Sequence, residues 1–206
     1  MDEITTMVIS ERKSLAEFLT TLSPDQWSAP TWCDKWTVQQ LVAHLVAAGQ
    51  ITFFHFAGGF AKKGFNFSKF VEGDLEQYSQ GSPTDVLQRF NGIVESTRHP
   101  PGPKYVALGE VMAHGEDIRR SLGSIGEHPP AHLAMLAEAY RRTGAPLHGK
   151  RRAAGLSMKA TDVAWSGGEG PEVSGPAMSL ILAMVGRRGA LDDLEGPGLD
   201  TFRSRM

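Results

Sequence analysis

A long stretch without charged side chains is the strongest constraint on how this 206-residue chain can fold. Residues 36–61 contain no Asp, Glu, Lys or Arg, and this is long enough for a helix that crosses a bilayer. However, polar side chains, including His44 and His55, interrupt the stretch, and Gly58 and Gly59 lie near its end. A membrane helix would have to desolvate these polar groups. The sequence therefore predicts a buried helix of a globular protein, with no membrane as partner.

Composition and charge favour an ordinary globular protein. Hydrophobic residues make up 41% of the chain and charged residues 21%, which is normal for a folded soluble domain. The formal net charge is -2, so no basic surface predicts nucleic acid as a partner. The single cysteine cannot form an intramolecular disulfide, and the first residues lack the pattern of a signal peptide. We therefore expect a cytoplasmic protein.

Helical patterns fill the first two thirds of the chain, and a different pattern follows. The clearest helix start is Thr37, because Gln40 completes a capping box with it, while Trp36 and Leu41 occupy the hydrophobic staple positions. After residue 149, apolar and polar residues alternate over 156–161, which predicts a strand that pairs as a hairpin with a short strand at 172–173. Helices are expected at about residues 2–21, 38–57, 83–97, 104–122, 130–143 and 176–185.

These patterns predict a mainly α protein with two parts. Residues 1–148 form a helical bundle, and residues 149–206 form a small α+β region made of a strand hairpin and a helix. A bundle of this length buries enough apolar surface to fold without disulfides.

Two histidines and one glutamate are the candidate metal ligands. Glu110 and His114 are four residues apart in one expected helix, so their side chains lie one above the other on the same face. His44 belongs to a mostly apolar stripe of another helix and needs a polar partner when buried. If the two helices pack together, two imidazoles and one carboxylate converge in the pattern of a catalytic zinc site. Other divalent ions with nitrogen and oxygen preference, such as nickel, fit the same donors.

Each of these residues also has a structural interpretation. A Glu–His pair at this spacing is common by chance, and a single histidine in an apolar stripe is more often a hydrogen-bonded core residue. His55 lies three turns from His44, about 16 Å along a helix, so the two cannot bind the same ion. We interpret His55 as structural.

Cys33 is a rival nucleophile. Its neighbour Asp34 carries a negative charge, which raises the pKa of a thiol rather than activating it. Three tryptophans cluster around this position and are interpreted mainly as a packed lid over the end of the bundle, with an aromatic wall beside His44 as the alternative. They are Trp27, Trp32 and Trp36.

Three segments of the sequence resemble the mycothiol-dependent maleylpyruvate isomerase family, within the broader DinB-like metalloenzyme superfamily. The first comprises residues 36–38 and 41–45, which read WTV and LVAHL. The second is HGEDIRRSLG at residues 114–123. The third is a set of matches within residues 160–187. Together the three segments span most of the chain.

The resemblance implies a DinB-like four-helix bundle with a divalent metal, usually zinc, bound by a His, Glu, His triad. These ligands fall on His44, Glu110 and His114, which the stripe analysis also selects. The family further implies mycothiol, a low-molecular-weight thiol of actinobacteria, as cofactor. It also implies an active-site arginine from the C-terminal region, for which Arg187 is the candidate.

The expected function is that of a metal-dependent enzyme in which a metal-activated mycothiol thiolate attacks a small electrophilic substrate. If the product keeps the thiol, the enzyme is an S-transferase; if the adduct rotates about a former double bond and expels the thiol, it is a cis–trans isomerase. Asp117 would orient a ligand or the helix. The alternative is a non-catalytic metal-binding bundle that serves as a binding or regulatory module. The expected partners are therefore a small-molecule thiol and an electrophile, with a homodimer as a further candidate assembly.

Overall fold

The computed structural model describes residues 2–33, 36–62, 64 and 66–206, with the side chains of residues 53, 55, 67 and 68 outside that description. The chain divides into two compact units, Met1–Gly126 and Glu127–Met206. The fold is mainly helical with one small sheet, which confirms the predicted fold class. Within the described residues, no helix combines the length and the apolar character that crossing a bilayer requires.

The first unit is built on a four-helix bundle. Its helices are α1 (Glu3–Thr20), α2 (Val38–Gln50), α3 (Phe53–Lys62), α4 (Phe67–Tyr78), α5 (Pro83–Asn91) and α6 (Tyr105–Ser121). Helices α1, α2, α5 and α6 pack against one another, and α4 covers another side of α2. Leu15, Leu41, Phe90 and Met112, one from each bundle helix, are fully or almost fully buried and form the core.

Local capping fixes where the bundle helices begin. Thr37 starts α2 as predicted, because its hydroxyl accepts the N–H of Gln40 at 3.3 Å and its own N–H donates to Oε1 of Gln40 at 3.0 Å. Asp2 caps α1 by accepting the N–H of Thr5 at 3.2 Å. Ser82 caps α5, with Pro83 at the first helical position. Each such cap contributes about 1 kcal/mol.

The end of α2 differs from the sequence prediction. The helix ends at Gln50 rather than near residue 57, because Ile51 is buried in an extended conformation (φ -56, ψ 134). The hydroxyl of Ser96 donates to the carbonyl of Gly49 at 2.7 Å, which satisfies one of the carbonyls that a helix end leaves free. The chain then restarts as α3 at Phe53.

Two further differences lie in the connections of the first unit. The stretch between the helices expected at residues 38–57 and 83–97 contains α4. Asn66 caps this helix by accepting the N–H of Lys69 at 3.1 Å, and its Phe70 and Leu75 are buried. Helix α5 ends at Asn91 instead of near residue 97, and hydrogen-bonded turns follow it. Both differences come from packing that a short sequence window does not contain.

The second unit contains four α-helices and a three-stranded sheet among its residues. They are α7 (Pro130–Arg142), α8 (Gly149–Ala153), α9 (Ala177–Met184), α10 (Leu199–Arg203), β1 (Ser157–Ala160), β2 (Ser166–Gly167) and β3 (Glu172–Gly175). Helix α9 is buried along its whole length, and α7 packs on it. The division between the compact units falls before α7, and the domain boundary expected between residues 148 and 149 stays a prediction.

The strand pairing corrects the predicted hairpin. The strand order is β2-β1-β3, with β2 antiparallel to β1 and β3 parallel to it. The hairpin partner of β1 is therefore the pair of residues 166–167, not 172–173. At Gly168 and Gly170 a Cβ would lie only 2.2 Å from the carbonyl oxygens of Leu156 and Gly155. The glycines thus let the chain pass close to the start of β1 and reach its other edge in the parallel direction.

Candidate metal centre

The structure brings His44, Glu110 and His114 together between α2 and α6. Nε2 of His44 lies 2.8 Å from Oε2 of Glu110, and Nε2 of His114 lies 3.5 Å from the same oxygen. The two imidazole rings meet edge to face, with centroids 5.3 Å apart. One ligand atom from each of the three residues lies within 4.8 Å of the other two.

The cluster is accessible from solvent. The side chains of His44, Glu110 and His114 are 17%, 27% and 13% exposed. A structural zinc site is closed, whereas a catalytic site keeps a position for water or substrate. Partial exposure of all three donors is therefore the arrangement that ligand exchange requires.

Contacts within the cluster shift the pKa values of Glu110 and His114 in opposite directions. Burial opposes ionisation of Glu110, but hydrogen bonds from His114 and His44 outweigh it and hold the pKa of the carboxyl well below its usual range. Burial likewise opposes protonation of His114, but contacts with Asp117, Cys33 and Glu110 raise the pKa of its imidazole well above the usual value. Without a metal, the cluster is thus a carboxylate paired with an imidazolium.

The donor set suits a divalent cation. Two imidazole nitrogens and one carboxylate oxygen are ligands that zinc, nickel and related ions accept. A metal cation at this place would replace the proton on His114, because Nε2 has to lose that proton before it can bind a metal. The residues present therefore fit the metal that the sequence resemblance implies.

Asp117 supports His114 from the same helix. Its side chain is completely buried, and its Oδ2 lies 3.0 Å from Nδ1 of His114. The carbonyl oxygen of Asp117 also accepts the N–H of Trp32 at 3.3 Å. One residue thus contacts both a candidate ligand and the segment that leads to Trp36.

The segment before α2 forms one wall of the site. Trp36 lies with its ring centroid 4.9 Å from that of His44 and 6.3 Å from that of His114. Trp27 is buried in the core. The ring centroid of Trp32 lies 5.4 Å from Cζ of the Arg120 guanidinium. The packing interpretation therefore fits Trp27, whereas Trp36 forms the aromatic wall that the sequence left as an alternative.

Sequence reasoning missed the position of Cys33. Its sulfur belongs to a second group of donor atoms within 4.8 Å of one another, together with His114 and Asp117. No local sequence pattern predicts this contact. The segment that contains Cys33 folds back on itself through the bridge between Pro30 and Thr37. Asp34, on which the argument against a reactive thiol rested, lies outside the described residues.

Two other residues singled out from the sequence keep roles that stay predictions. The side chain of His55 is not among the described ones, so its structural role stays a prediction. Arg187 directly follows α9 and Gly186 in the second unit, and it precedes a 3-10 helix, Arg188–Asp193. Its proposed contribution to catalysis stays a prediction.

The bundle and its donor set define a helical protein with a candidate metal centre of two histidines and one carboxylate. Residues 9–101 match the family model described as "Mycothiol maleylpyruvate isomerase N-terminal domain". This segment of the chain is therefore similar to that domain, and the resemblance predicted from the sequence motifs is confirmed. The match includes His44 and ends before Glu110 and His114.

Two solved structures share the fold. They are the crystal structures of the mycothiol-dependent maleylpyruvate isomerase and of a histidine-to-alanine mutant of that enzyme. Each aligns with a TM-score of 0.64 at 15% sequence identity, over 95% of this chain and 92% of the other. At 15% sequence identity, the structural similarity shows only that the fold is shared. No curated protein matches the sequence significantly.

Proposed function

We propose that this protein is a mycothiol-dependent enzyme of the isomerase type, with a divalent metal held by His44, Glu110 and His114. The observation that carries the proposal is the convergence of these three donors from two helices at a place that solvent reaches. A divalent ion bound there would supply a Lewis acid that lowers the pKa of a coordinated thiol. Zinc is the ion we expect.

The chain's own residues prepare the site for such a ligand. Glu110 places one oxygen between the two imidazoles, so a single carboxylate orients both rings. Asp117 occupies Nδ1 of His114 and thereby leaves Nε2 for the cluster. Trp36 covers the rings of His44 and His114 from one side and limits access of water there.

The domain family and the fold neighbours support mycothiol as the thiol and isomerisation as the reaction. The matched domain family and both neighbours carry mycothiol and maleylpyruvate isomerase in their names. The partners are then a small-molecule thiol and a small electrophile. S-transfer would need the same centre and differs only in whether the product keeps the thiol. The cytoplasmic location and a homodimer stay predictions.

Metal analysis combined with His114→Ala tests the ligand assignment. We expect the untagged protein to hold about one ion per chain and the His114→Ala protein to lose it while keeping its helical circular dichroism. His99→Ala is the matched control, because Nδ1 of His99 lies 2.8 Å from the carbonyl oxygen of Pro100 and His99 belongs to neither group of candidate donor atoms. A His114→Ala protein that still holds a full equivalent of metal would refute the assignment.

A turnover assay separates the enzyme from a non-catalytic bundle. The metal-loaded protein is incubated with mycothiol and either maleylpyruvate or a bimane electrophile. Isomerisation with the thiol recovered supports the proposal, and loss of thiol above the uncatalysed rate identifies an S-transferase. Metal binding with neither reaction would support the binding or regulatory module.

A further inference from the structure

The segment between Pro30 and Thr37, called the 30–37 loop from here on, folds back on itself beside the candidate metal centre. Pro30 and Thr37 form an antiparallel bridge at its base, and the hydroxyl of Thr31 donates to the carbonyl of Trp36 at 2.8 Å across it. The loop carries both Trp36 and Cys33, which lie next to the candidate ligands. Its position therefore determines what one side of the centre presents to a bound molecule.

Trp32 joins the 30–37 loop to α6 in two ways. Its N–H donates to the carbonyl oxygen of Asp117 at 3.3 Å, and its ring centroid lies 5.4 Å from Cζ of Arg120. A guanidinium within about 6 Å of an indole ring is attracted to its face. The main chain and the side chain of Trp32 thus contact α6 one turn apart.

The guanidinium of Arg120 is fixed by α6 itself. Its side chain is only 7% exposed, and its Nε donates to Oε2 of Glu116, one turn earlier, at 3.0 Å. Glu116 is completely buried, and its Oε1 accepts the N–H of Gly126 at 2.7 Å. Arg120 therefore offers the loop a partner that is already in place, and a shielded cation binds an aromatic face more strongly than an exposed one does.

We propose that Arg120 is a positioning residue for the candidate metal centre and that it acts through Trp32. Its guanidinium keeps the ring of Trp32, and with it the 30–37 loop, docked on α6. The docked loop in turn keeps Trp36 against the candidate ligands. This inference rests on the proposed function, because it concerns one wall of the same centre. The docking itself needs no metal, since none of the three candidate ligands belongs to the loop.

The preceding residue, Arg119, offers a matched comparison. It is also a shielded cation, with a side chain that is 6% exposed. However, its Cζ lies 5.2 Å from the ring centroid of Phe18 and its Nη2 donates to the hydroxyl of Ser14 at 3.1 Å, both in α1. Two successive arginines thus make the same kind of contact with different parts of the first unit. Arg119→Ala should destabilise the protein without releasing the 30–37 loop.

The single cysteine of the chain reports the position of the loop. Cys33 is half-buried, and its alkylation by iodoacetamide in the metal-free full chain is followed by mass spectrometry. We expect Arg120→Ala to raise the alkylation rate roughly 10- to 30-fold, as the loss of a desolvated cation–π contact shifts the opening of the loop. Loss of a nearby cation alone would slow the reaction, because positive charge favours the thiolate. A faster reaction therefore reports opening.

Three further variants complete the alkylation test. Arg119→Ala should react near the wild-type rate, and Arg120→Lys should recover part of the protection, because it retains a cation. Trp32→Leu keeps Arg120 but removes the ring, so it should accelerate alkylation as well and serves if Arg120→Ala does not fold. Circular dichroism verifies folding of each variant. Wild-type alkylation rates in folded Arg120→Ala and Trp32→Leu would overturn the inference.

Turnover separates a positioning role from a structural one. In the metal-loaded protein with mycothiol and maleylpyruvate, Arg120→Ala should keep its metal content and lose turnover, whereas Arg119→Ala should keep both. Wild-type turnover by an Arg120→Ala protein with faster alkylation would also overturn the positioning role. If the wild-type protein shows the expected alkylation pattern but no turnover, the docking of the loop by Arg120 stands and the proposed function fails.

Discussion

The carboxylate of Asp117 fixes the ring of His114, with Oδ2 3.0 Å from Nδ1 and no solvent in contact with the Asp117 side chain. Both residues belong to α6 and are three positions apart, so the helix itself sets their relative position. Nδ1 is engaged in this contact, and Nε2 is the nitrogen that faces Glu110. Asp117 is therefore a positioning residue for the candidate ligand.

The first prediction concerns this positioning role. Asp117→Asn keeps the shape of the side chain but loses its charge, and we expect metal affinity to fall about 10- to 100-fold. Competition with a chromophoric chelator measures the affinity, and nitrogen NMR of His114 reports which ring nitrogen carries the proton. An Asp117→Asn protein with unchanged affinity and an unchanged His114 spectrum would contradict the role.

Glu116→Gln is the control for general destabilisation. Glu116 is equally buried on the same helix, but its oxygens accept from Nε of Arg120 at 3.0 Å and from the N–H of Gly126 at 2.7 Å. Its replacement should lower the free energy of unfolding and leave metal affinity at the wild-type level, which separates positioning from folding.

The second prediction is that metal binding releases a proton. Because Asp117, Cys33 and Glu110 raise the pKa of His114 well above 6.5 against the effect of burial, the metal-free imidazole is protonated at neutral pH. We expect about one proton to be released per ion bound at pH 7, and metal affinity to rise with pH until His114 is neutral. Calorimetry in two buffers of different ionisation enthalpy measures the release; equal heats in both would show that no proton leaves.

The third prediction distinguishes the two donor groups that share His114. The cluster with His44 and Glu110 offers a carboxylate oxygen and a second imidazole, whereas the other group offers Cys33 and Asp117. We expect Cys33→Ala to keep a full equivalent of metal and His44→Ala to lose it. Cobalt-loaded protein provides a second readout, since a thiolate ligand would add an intense charge-transfer absorption that we expect to be absent. Loss of metal from Cys33→Ala alone would assign the centre to the other group.

The fourth prediction tests the packing at the end of α2. A Cβ on Gly49 would lie 2.9 Å from Cδ1 of Ile93 and 3.3 Å from Nη2 of Arg12. Gly49→Ala should therefore destabilise the protein by roughly 1–3 kcal/mol through overpacking. Gly58→Ala in α3 is the control, because its Cβ would meet nothing within 4 Å; there the helix gains up to about 1 kcal/mol. Urea unfolding compares the two, and equal effects would argue against close packing at Gly49.

The parts of the fold that could be predicted from sequence are those with local causes. The capping box at Thr37 marks the start of α2, and the four-residue spacing of Glu110 and His114 places two donors on one face. The apolar stripe around His44 indicates a buried helix, and pairing the two helices then selects the triad. Apart from the pairing of the two helices, all of these depend on residues close together in the chain.

The parts that could not be predicted depend on distant contacts. Helix α2 ends where Ser96 bonds the carbonyl of Gly49, forty-seven positions away in sequence. Cys33 lies close to His114 in a segment that folds back through the bridge between Pro30 and Thr37. The parallel pairing of β3 follows from close approach of glycine backbones to the start of β1. A short window of sequence contains none of these partners.

The candidate ligands are divided between two helices. Glu110 and His114 are neighbours wherever α6 is helical, so this helix alone supplies two of the three donors. His44 joins only when α2 docks, and the affinity for a cation thus measures that docking. An ion held by all three would link folding of the bundle to metal supply, so that a cell short of the metal would hold a less stable protein as well as a less active one.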